Sequence, residues 1–190
     1  MKAMKYHDYI WDLGGTLLDN YETSTAAFVE TLALYGIRQD HDSVYQALKV
    51  STDFAIETFA PNLEHFLEKY KENEARELEH PILFDGVSDL LEDISNQGGR
   101  HFLVSHRNDQ VLEILEKTSI AAYFTEVVTS NSGFKRKPDP ESMIYLREKY
   151  QIDSGLVIGD RPIDIEAGQA AGLDTHLFTS IVNLRQVLDM

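Results

Sequence analysis

The 190-residue chain contains no cysteine. This absence excludes disulfide bonds, thiolate metal sites and a cysteine nucleophile. Positive charge is also scarce, because 17 Lys and Arg residues stand against 32 Asp and Glu residues and give a formal net charge of −15. We therefore expect no binding to nucleic acid or to anionic membranes, and any anionic substrate needs local cations or a metal ion.

Long apolar runs are missing as well. No window reaches the roughly 18 apolar residues of a membrane-spanning helix, and residues 1–11 lack the apolar core of a signal peptide. The simplest prediction is a cytoplasmic protein that does not contact membranes. The 43% content of apolar residues suits one α/β domain with a small insertion.

The segment YIWDLGGTLLD, residues 9–19, is the first informative stretch. Its apolar start predicts a buried strand, and the paired glycines predict a tight turn directly after Asp12. Open α/β sheets bind their ligands at the carboxyl ends of the strands. Asp12 is therefore a candidate nucleophile or metal ligand, although Asp and Gly are also common in ordinary turns.

Residues 20–80 have a helical pattern throughout and contain no convincing strand. Apolar residues at helical spacing predict helices over 21–36, 42–50 and 52–59. A fourth helix is predicted to follow with Pro61 in its first turn, where proline is well tolerated. This stretch is predicted to be an inserted helical module.

From Pro81 onwards, short apolar strands alternate with helices of about ten residues. Such alternation predicts a parallel sheet with right-handed crossovers. The fold class is therefore α/β, with a core domain over 1–19 and 81–190 and an all-helical cap over 20–80. The predicted strands cover 101–105, 126–129, 156–159 and 175–178, and the predicted helices lie around 87–94 and over 108–117, 141–150 and 163–171.

Polar side chains follow these strands at the edge where their carboxyl ends meet. Ser105 ends one strand, Lys137 lies in the loop after the next, and Asp160 and Asp164 follow the strand at 156–159. Taken singly, each has an ordinary alternative, such as a helix cap, a first-turn acid or a solvated loop cation. Together with the first acid they could hold Mg²⁺ through oxygen ligands, with a phosphate beside it.

Four segments in this order resemble the motifs of the haloacid dehalogenase (HAD) superfamily. DLGGTLLD resembles the family's DxDGTLxD, FLVSH its apolar strand ending in Ser or Thr, KRKPDP its lysine motif, and VIGDRPIDIEAGQAAG its GDxxxD motif. They span residues 9–172, and the helical insertion is similar to the family's small cap. The resemblance is closest to the branch of phosphoglycolate phosphatase and phosphoglucomutase, and implies a Rossmann-like core.

The resemblance implies a Mg²⁺-dependent phosphohydrolase of small phosphorylated metabolites. Asp12 would attack phosphorus and form an aspartyl-phosphate. Ser105 would hydrogen-bond a phosphoryl oxygen, and Lys137 would neutralise the nucleophile and the phosphate. Charge that develops on the transferring phosphoryl oxygens calls for such groups.

The same resemblance implies a set of metal ligands. Asp12 and Asp160 would bind Mg²⁺ together with the backbone carbonyl of Gly14, and Asp164 would support the metal directly or through water. We expect a monomer or a homodimer.

Substrate contacts are implied for four residues of the two domains. Thr16 and His106 are assigned to substrate binding in the core. Ser51 and Thr52, with Asp53 beside them, are expected to face the site from a cap loop.

Gly14 is a departure from the family pattern. The phosphatases carry a second Asp two residues after the nucleophile, which protonates the leaving oxygen and then activates water. General acid–base catalysis typically accelerates a reaction by about 10²–10⁴-fold. We therefore expect turnover that is slow, restricted to good leaving groups, or assisted by a base from elsewhere, for which His106 is the nearest candidate.

The sequence also permits two other functions. The family's phosphonatases also lack the second Asp and use a cap lysine as a Schiff base, a role that Lys49 could take. Alternatively, the chain could be a catalytically silent binding or regulatory protein that keeps the phosphate pocket.

Overall fold

A computed structural model describes residues 3–190, which form two compact units. The core unit lies within Met1–Leu18 and Leu83–Met190, and the helical unit is Asp19–Ile82. The predicted boundaries, after residue 19 and before residue 81, lie close to this division, and the first two residues of the predicted core are outside the described residues. Over residues 3–190, no helix has both the length and the apolar character that crossing a membrane requires.

The core unit contains a parallel sheet, which confirms the predicted α/β class. Its order is β3-β2-β1-β4-β5, so the chain reverses direction across the sheet at β1. Ligands bind outside the carboxyl ends of the strands at such a switch point. The strands are β1 (Asp8–Trp11), β2 (Arg100–Val104), β3 (Phe124–Val128), β4 (Gly155–Gly159) and β5 (Asp174–Leu177).

The helical unit contains four helices within its described residues. The prediction that Pro61 lies in the first turn of the fourth helix is wrong, because Asn62 and His65 have left-handed φ values of 63° and 59° that interrupt a helix. Phe28 and Phe66 form the centre of this unit, with their rings 4.9 Å apart. The helices are α1 (Asn20–Leu34), α2 (His41–Val50), α3 (Thr52–Phe59) and α4 (Phe66–Glu77).

Helices of the core unit cover both faces of the sheet. The side chains of β1 alternate, so that Tyr9 and Trp11 pack in one apolar cluster and Ile10 packs in the other. The last helix was not predicted, although Ile181, Leu184 and Leu188 are buried at helical spacing. The core helices are α5 (Val87–Asn96), α6 (Gln110–Lys117), α7 (Glu141–Tyr150), α8 (Pro162–Ala170) and α9 (Ile181–Leu188).

His101 of β2 is fully buried beside the chain's single tryptophan. Its Nδ1 accepts a hydrogen bond from the indole N–H of Trp11 at 3.0 Å, so its Nε2 carries the proton and donates to the carbonyl of Leu91 at 3.0 Å. Burial lowers the pKa of His101 to about 4. The ring is therefore neutral in the native protein near neutral pH.

We expect His101 to make the core unit sensitive to acid. Its pKa is about 6.5 when unfolded, so between about pH 6.5 and pH 4 the unfolded chain binds a proton that the native chain does not. Stability therefore falls as the pH falls through this window, by about 3 kcal/mol at its lower end. Urea unfolding followed by Trp11 fluorescence at several pH values measures this loss.

His101→Gln is the informative variant, because an amide can accept from Trp11 and donate to Leu91 without titrating. We expect its stability to fall less steeply below about pH 6.5 than that of the wild type. The exposed His7 provides the control, since His7→Gln should keep the wild-type slope. Equal slopes for all three proteins would contradict the assignment to His101.

Candidate active site

Asp12 is the first residue after β1 and is 6% exposed. Its backbone N–H donates to the carbonyl of Ile158 at 2.9 Å, which continues the pairing of β1 with β4 by one residue. The ammonium of Lys137 donates to Asp12 Oδ1 at 2.9 Å, whereas Oδ2 is buried and has no hydrogen-bond partner. One oxygen of the carboxylate is thus fixed and the other is left available.

The turn after Asp12 is built on the carbonyl of Leu13. This carbonyl accepts hydrogen bonds from the N–H groups of Thr16, Leu17 and Leu18 at 2.9–3.2 Å. Gly15 has a left-handed φ of 78°, and a Cβ at this position would collide with the carboxylate of Asp160. The glycine therefore allows the metal-ligand candidates of two strands to approach each other.

Asp160 and Asp164 come from the end of β4 and the first turn of α8. Asp160 Oδ1 lies 3.4 Å from the hydroxyl of Thr16, which donates to it. Asp164 is fully buried, and its Oδ2 accepts the backbone N–H of Arg161 at 3.2 Å. A Cβ on Gly159 would collide with Asp164, so this glycine makes room for the second acid.

Lys137 is buried, with 5% of its surface exposed, and connects two of these acids. Besides the contact to Asp12, its Nζ lies 2.6 Å from Asp164 Oδ1 and donates to the carbonyl of Val104 at 3.0 Å. A buried ammonium is stable only where anions and acceptors surround it. These contacts fix the lysine side chain beside the free oxygen of Asp12.

The acidic group fits a divalent cation. Asp12, Asp160 and Asp164 each offer a carboxylate oxygen within 4.8 Å of the others. Their formal charge of −3 and the +1 of Lys137 sum to −2, and burial together with the charge of Asp12 raises the pKa of Asp160 to about 6. The uncompensated charge of these carboxylates is what a hard cation with oxygen ligands would neutralise.

Ser105 and His106 follow β2 next to the lysine. Ser105 Oγ is buried and accepts the N–H of Arg107 at 3.1 Å, which leaves its hydroxyl proton free to donate. His106 Nε2 accepts the backbone N–H of Lys137 at 3.0 Å. Burial, followed by the charge of Lys137, lowers the pKa of His106 to about 4. The ring is therefore neutral near neutral pH and its Nε2 is occupied, so it lacks the features of a replacement general base.

The cap residues named by the sequence have local roles in the helical unit. Ser51 lies between α2 and α3, and its Oγ accepts the N–H of Phe54 at 2.9 Å as a helix cap. Thr52 is the first residue of α3. Lys49 is exposed, and its ammonium lies 5.8 Å from the centre of the Tyr45 ring.

Three features of the site were not predicted. Two of them are the spaces that Gly15 and Gly159 leave for the carboxylates of Asp160 and Asp164. The third is the hydrogen bond that the Lys137 ammonium donates to the Val104 carbonyl. The glycines had a signal in the sequence, since each adjoins a candidate acid or turn. The carbonyl had none, because every residue carries one.

Comparison with known proteins agrees with this geometry. The family profile of haloacid dehalogenase-like hydrolases matches residues 9–178. A phosphoglycolate phosphatase of Vibrio parahaemolyticus is 29% identical over 182 residues, which cover 85% of this chain and 78% of that protein. The pyrophosphatase PpaX of Oceanobacillus iheyensis is 26% identical over 180 residues, which cover 90% of this chain and 83% of that protein.

A solved structure of high identity is also known. The crystal structure of a hydrolase from Streptococcus pneumoniae TIGR4 is 95% identical to this chain, with a TM-score of 0.96 and coverage of 98% of this chain and 100% of that one. With the family profile extending over most of the sequence, this likeness identifies both the fold and the reaction class. The chain belongs to the haloacid dehalogenase-like hydrolases.

Proposed function

We propose that this hydrolase cleaves small phosphorylated metabolites with Mg²⁺ as its cofactor, through an aspartyl-phosphate at Asp12. The observation that carries the proposal is the Asp12 carboxylate, whose Oδ1 is held by Lys137 while its buried Oδ2 has no partner. The names of the relatives, a phosphoglycolate phosphatase and a pyrophosphatase, agree with phosphoryl transfer. The cytoplasmic location and the monomeric or homodimeric state stay predictions from the sequence.

In the first half-reaction, a lone pair of Asp12 Oδ2 attacks phosphorus while the bond from phosphorus to the leaving oxygen breaks. Lys137 keeps the carboxylate oriented and offsets the charge of the approaching phosphate. The free hydroxyl group of Ser105 donates a hydrogen bond to a phosphoryl oxygen. Mg²⁺, held by Asp12, Asp160, Asp164 and the Gly14 carbonyl, would supply charge neutralisation at the phosphate.

Gly14 places no carboxyl group near the leaving oxygen. The departing oxygen must therefore leave as an anion or take its proton from water, which favours esters with acidic leaving groups. In the second half-reaction, water attacks phosphorus of the aspartyl-phosphate, the acyl phosphate bond breaks, and Asp12 and inorganic phosphate are released. No side chain at position 14 removes the proton from that water, so we propose that this step is slow.

Mg²⁺ dependence is the first test of the proposal. We expect hydrolysis of p-nitrophenyl phosphate with Mg²⁺ present, a rate near background after EDTA treatment, and recovery when Mg²⁺ is added back. A bound Mg²⁺ would balance the residual charge of −2 at the acids, so its removal should also lower the affinity for phosphate. No turnover of this ester or of a broad panel of phosphoesters would contradict the proposal.

A rapid-mixing experiment tests the slow second step. p-Nitrophenolate is a good leaving group that needs no acid, so we expect an initial burst of up to one equivalent per enzyme, followed by a slower steady rate. Linear product formation from the first turnover, with no burst, would show that hydrolysis of the aspartyl-phosphate is not limiting. Acid-quenched samples analysed by mass spectrometry would locate the phosphate on Asp12.

The second candidate is a silent protein that binds phosphate without turnover, and Gly14 alone favours it. The third, a phosphonatase-like enzyme, requires an activated amine at Lys49. A Schiff-base lysine is usually activated by burial or by a neighbouring cation, whereas Lys49 is exposed. Borohydride trapping with phosphonoacetaldehyde tests it, and no adduct at Lys49 would remove this candidate.

A further inference from the structure

Cations without partners are concentrated at one edge of the core sheet. Within residues 3–190, most Lys and Arg side chains make an ion pair, a hydrogen bond or a contact with an aromatic ring. Those for which the structure records none of these contacts are Arg38, Arg107, Lys135, Arg136 and Arg161. Four of these five lie in the loops that follow β2, β3 and β4.

This distribution is unexpected in so acidic a chain. With 32 acidic residues in the chain, an exposed arginine has many potential partners, and most of the other described Lys and Arg side chains have one. Because β2, β3 and β4 are parallel, the loops at their carboxyl ends meet at the same edge of the sheet as Asp12. The unpaired cations thus stand where an anionic substrate must approach against a net charge of −15.

Arg136 and Arg161 are distinguished from the other unpaired cations by their neighbours in the sequence and by their electrostatic effect on the site. Arg136 directly precedes Lys137, and Arg161 directly follows Asp160. The positive charges of both lower the pKa of His106, whose Nε2 accepts the Lys137 N–H. Both side chains are exposed and therefore free to meet a ligand.

Lys137 already serves the phosphoryl group that Asp12 attacks, so further arginines are not needed for that group. Resting on the proposed function, we propose that the substrate carries a second anionic group, a carboxylate or another phosphoryl group, and that Arg136 and Arg161 bind it. An arginine guanidinium binds either anion with two parallel hydrogen bonds. The two residues would thereby select doubly anionic metabolites over simple monoesters.

Non-hydrolysable ligands test this without requiring turnover. Phosphonoacetate and ethylphosphonate differ mainly in one carboxylate. The ratio of their dissociation constants, measured by calorimetry in excess Mg²⁺, therefore reports how much the second anionic group contributes to binding. We expect the wild type to prefer phosphonoacetate by about tenfold or more, and Arg136→Gln and Arg161→Gln each to reduce that ratio severalfold. Methylenediphosphonate in a parallel titration distinguishes a carboxylate from a phosphoryl group.

Arg38→Gln is the matched control, because Arg38 is an exposed, unpaired cation of the helical unit. We expect it to keep the wild-type ratio. A wild-type ratio near one, or a ratio unchanged in both variants, would overturn the proposal, as would an equal loss in the control. If p-nitrophenyl phosphate is not hydrolysed but the ratio behaves as expected, the proposed function fails and the anion site stands.

Discussion

Asp12→Asn should lower the turnover of p-nitrophenyl phosphate by about 10³-fold or more, because an amide oxygen is a poor nucleophile for phosphorus. The substitution keeps the size of the side chain and leaves an oxygen that Lys137 can still contact. Binding of phosphate should weaken far less than turnover does. The measurement is the initial rate in excess Mg²⁺, together with mass spectrometry of the acid-quenched enzyme.

We expect Asp12→Asn to fold, because the charges of the site favour the substitution. Three clustered carboxylates face one buried ammonium, so removing one negative charge relieves repulsion and leaves Lys137 paired with Asp164. We therefore expect the metal-free variant to unfold at the same or a higher urea concentration than the wild type. Trp11, the residue next to Asp12, reports this transition by its fluorescence.

Asp153→Asn is the control for a general effect of charge. Asp153 is exposed and precedes β4, at the opposite end of that strand from Asp160. We expect this variant to keep the wild-type rate. If Asp12→Asn retains more than about a tenth of the wild-type turnover, the aspartyl-phosphate at Asp12 is not on the reaction path.

The convergence of the acids and the lysine could be predicted because parallel strands share one carboxyl edge. Buried parallel strands consist of short apolar runs, so the sequence predicted β1 and β4. The polar residue after each run was then predicted to lie at the carboxyl edge of the sheet. The left-handed residues at Asn62 and His65 were not predicted, because Asn and His enter this region more often than most residues but do not require it. They delay α4 to Phe66 and made the prediction for Pro61 wrong.

The sequence alone does not show the roles that depend on burial, hydrogen bonds and surrounding charges. His106 is a candidate base by its position, but its pKa near 4 follows from its burial and from the charges that surround it. Ser51 is a candidate substrate contact by its position in the cap, but its Oγ accepts a backbone N–H of α3. For His106, burial and the surrounding charges oppose a role as a base, whereas the substrate contact of Ser51 stays a prediction.

Gly14→Asp should raise turnover by about 10²–10⁴-fold for an alkyl phosphate, and less for p-nitrophenyl phosphate, because only the alkoxide needs a proton as it leaves. Gly14 is not among the glycines with positive φ and is only partly buried, so its backbone accepts a side chain. Burial, together with the charge of Asp12, raises the pKa of Asp160 to about 6. Negative charges nearby would likewise favour protonation of a carboxyl introduced beside them.

Gly14→Asn separates proton transfer from shape, because an amide of equal size cannot transfer a proton in this way. We expect the burst with p-nitrophenyl phosphate to persist in Gly14→Asn and to disappear in Gly14→Asp, whose carboxylate activates the water that attacks the aspartyl-phosphate. Turnover confined to Gly14→Asp would identify the natural chain as the silent binding protein. A wild type that is already fast on alkyl phosphates and gains nothing from the acid would show that another group performs the proton transfers, and would contradict the slow second step.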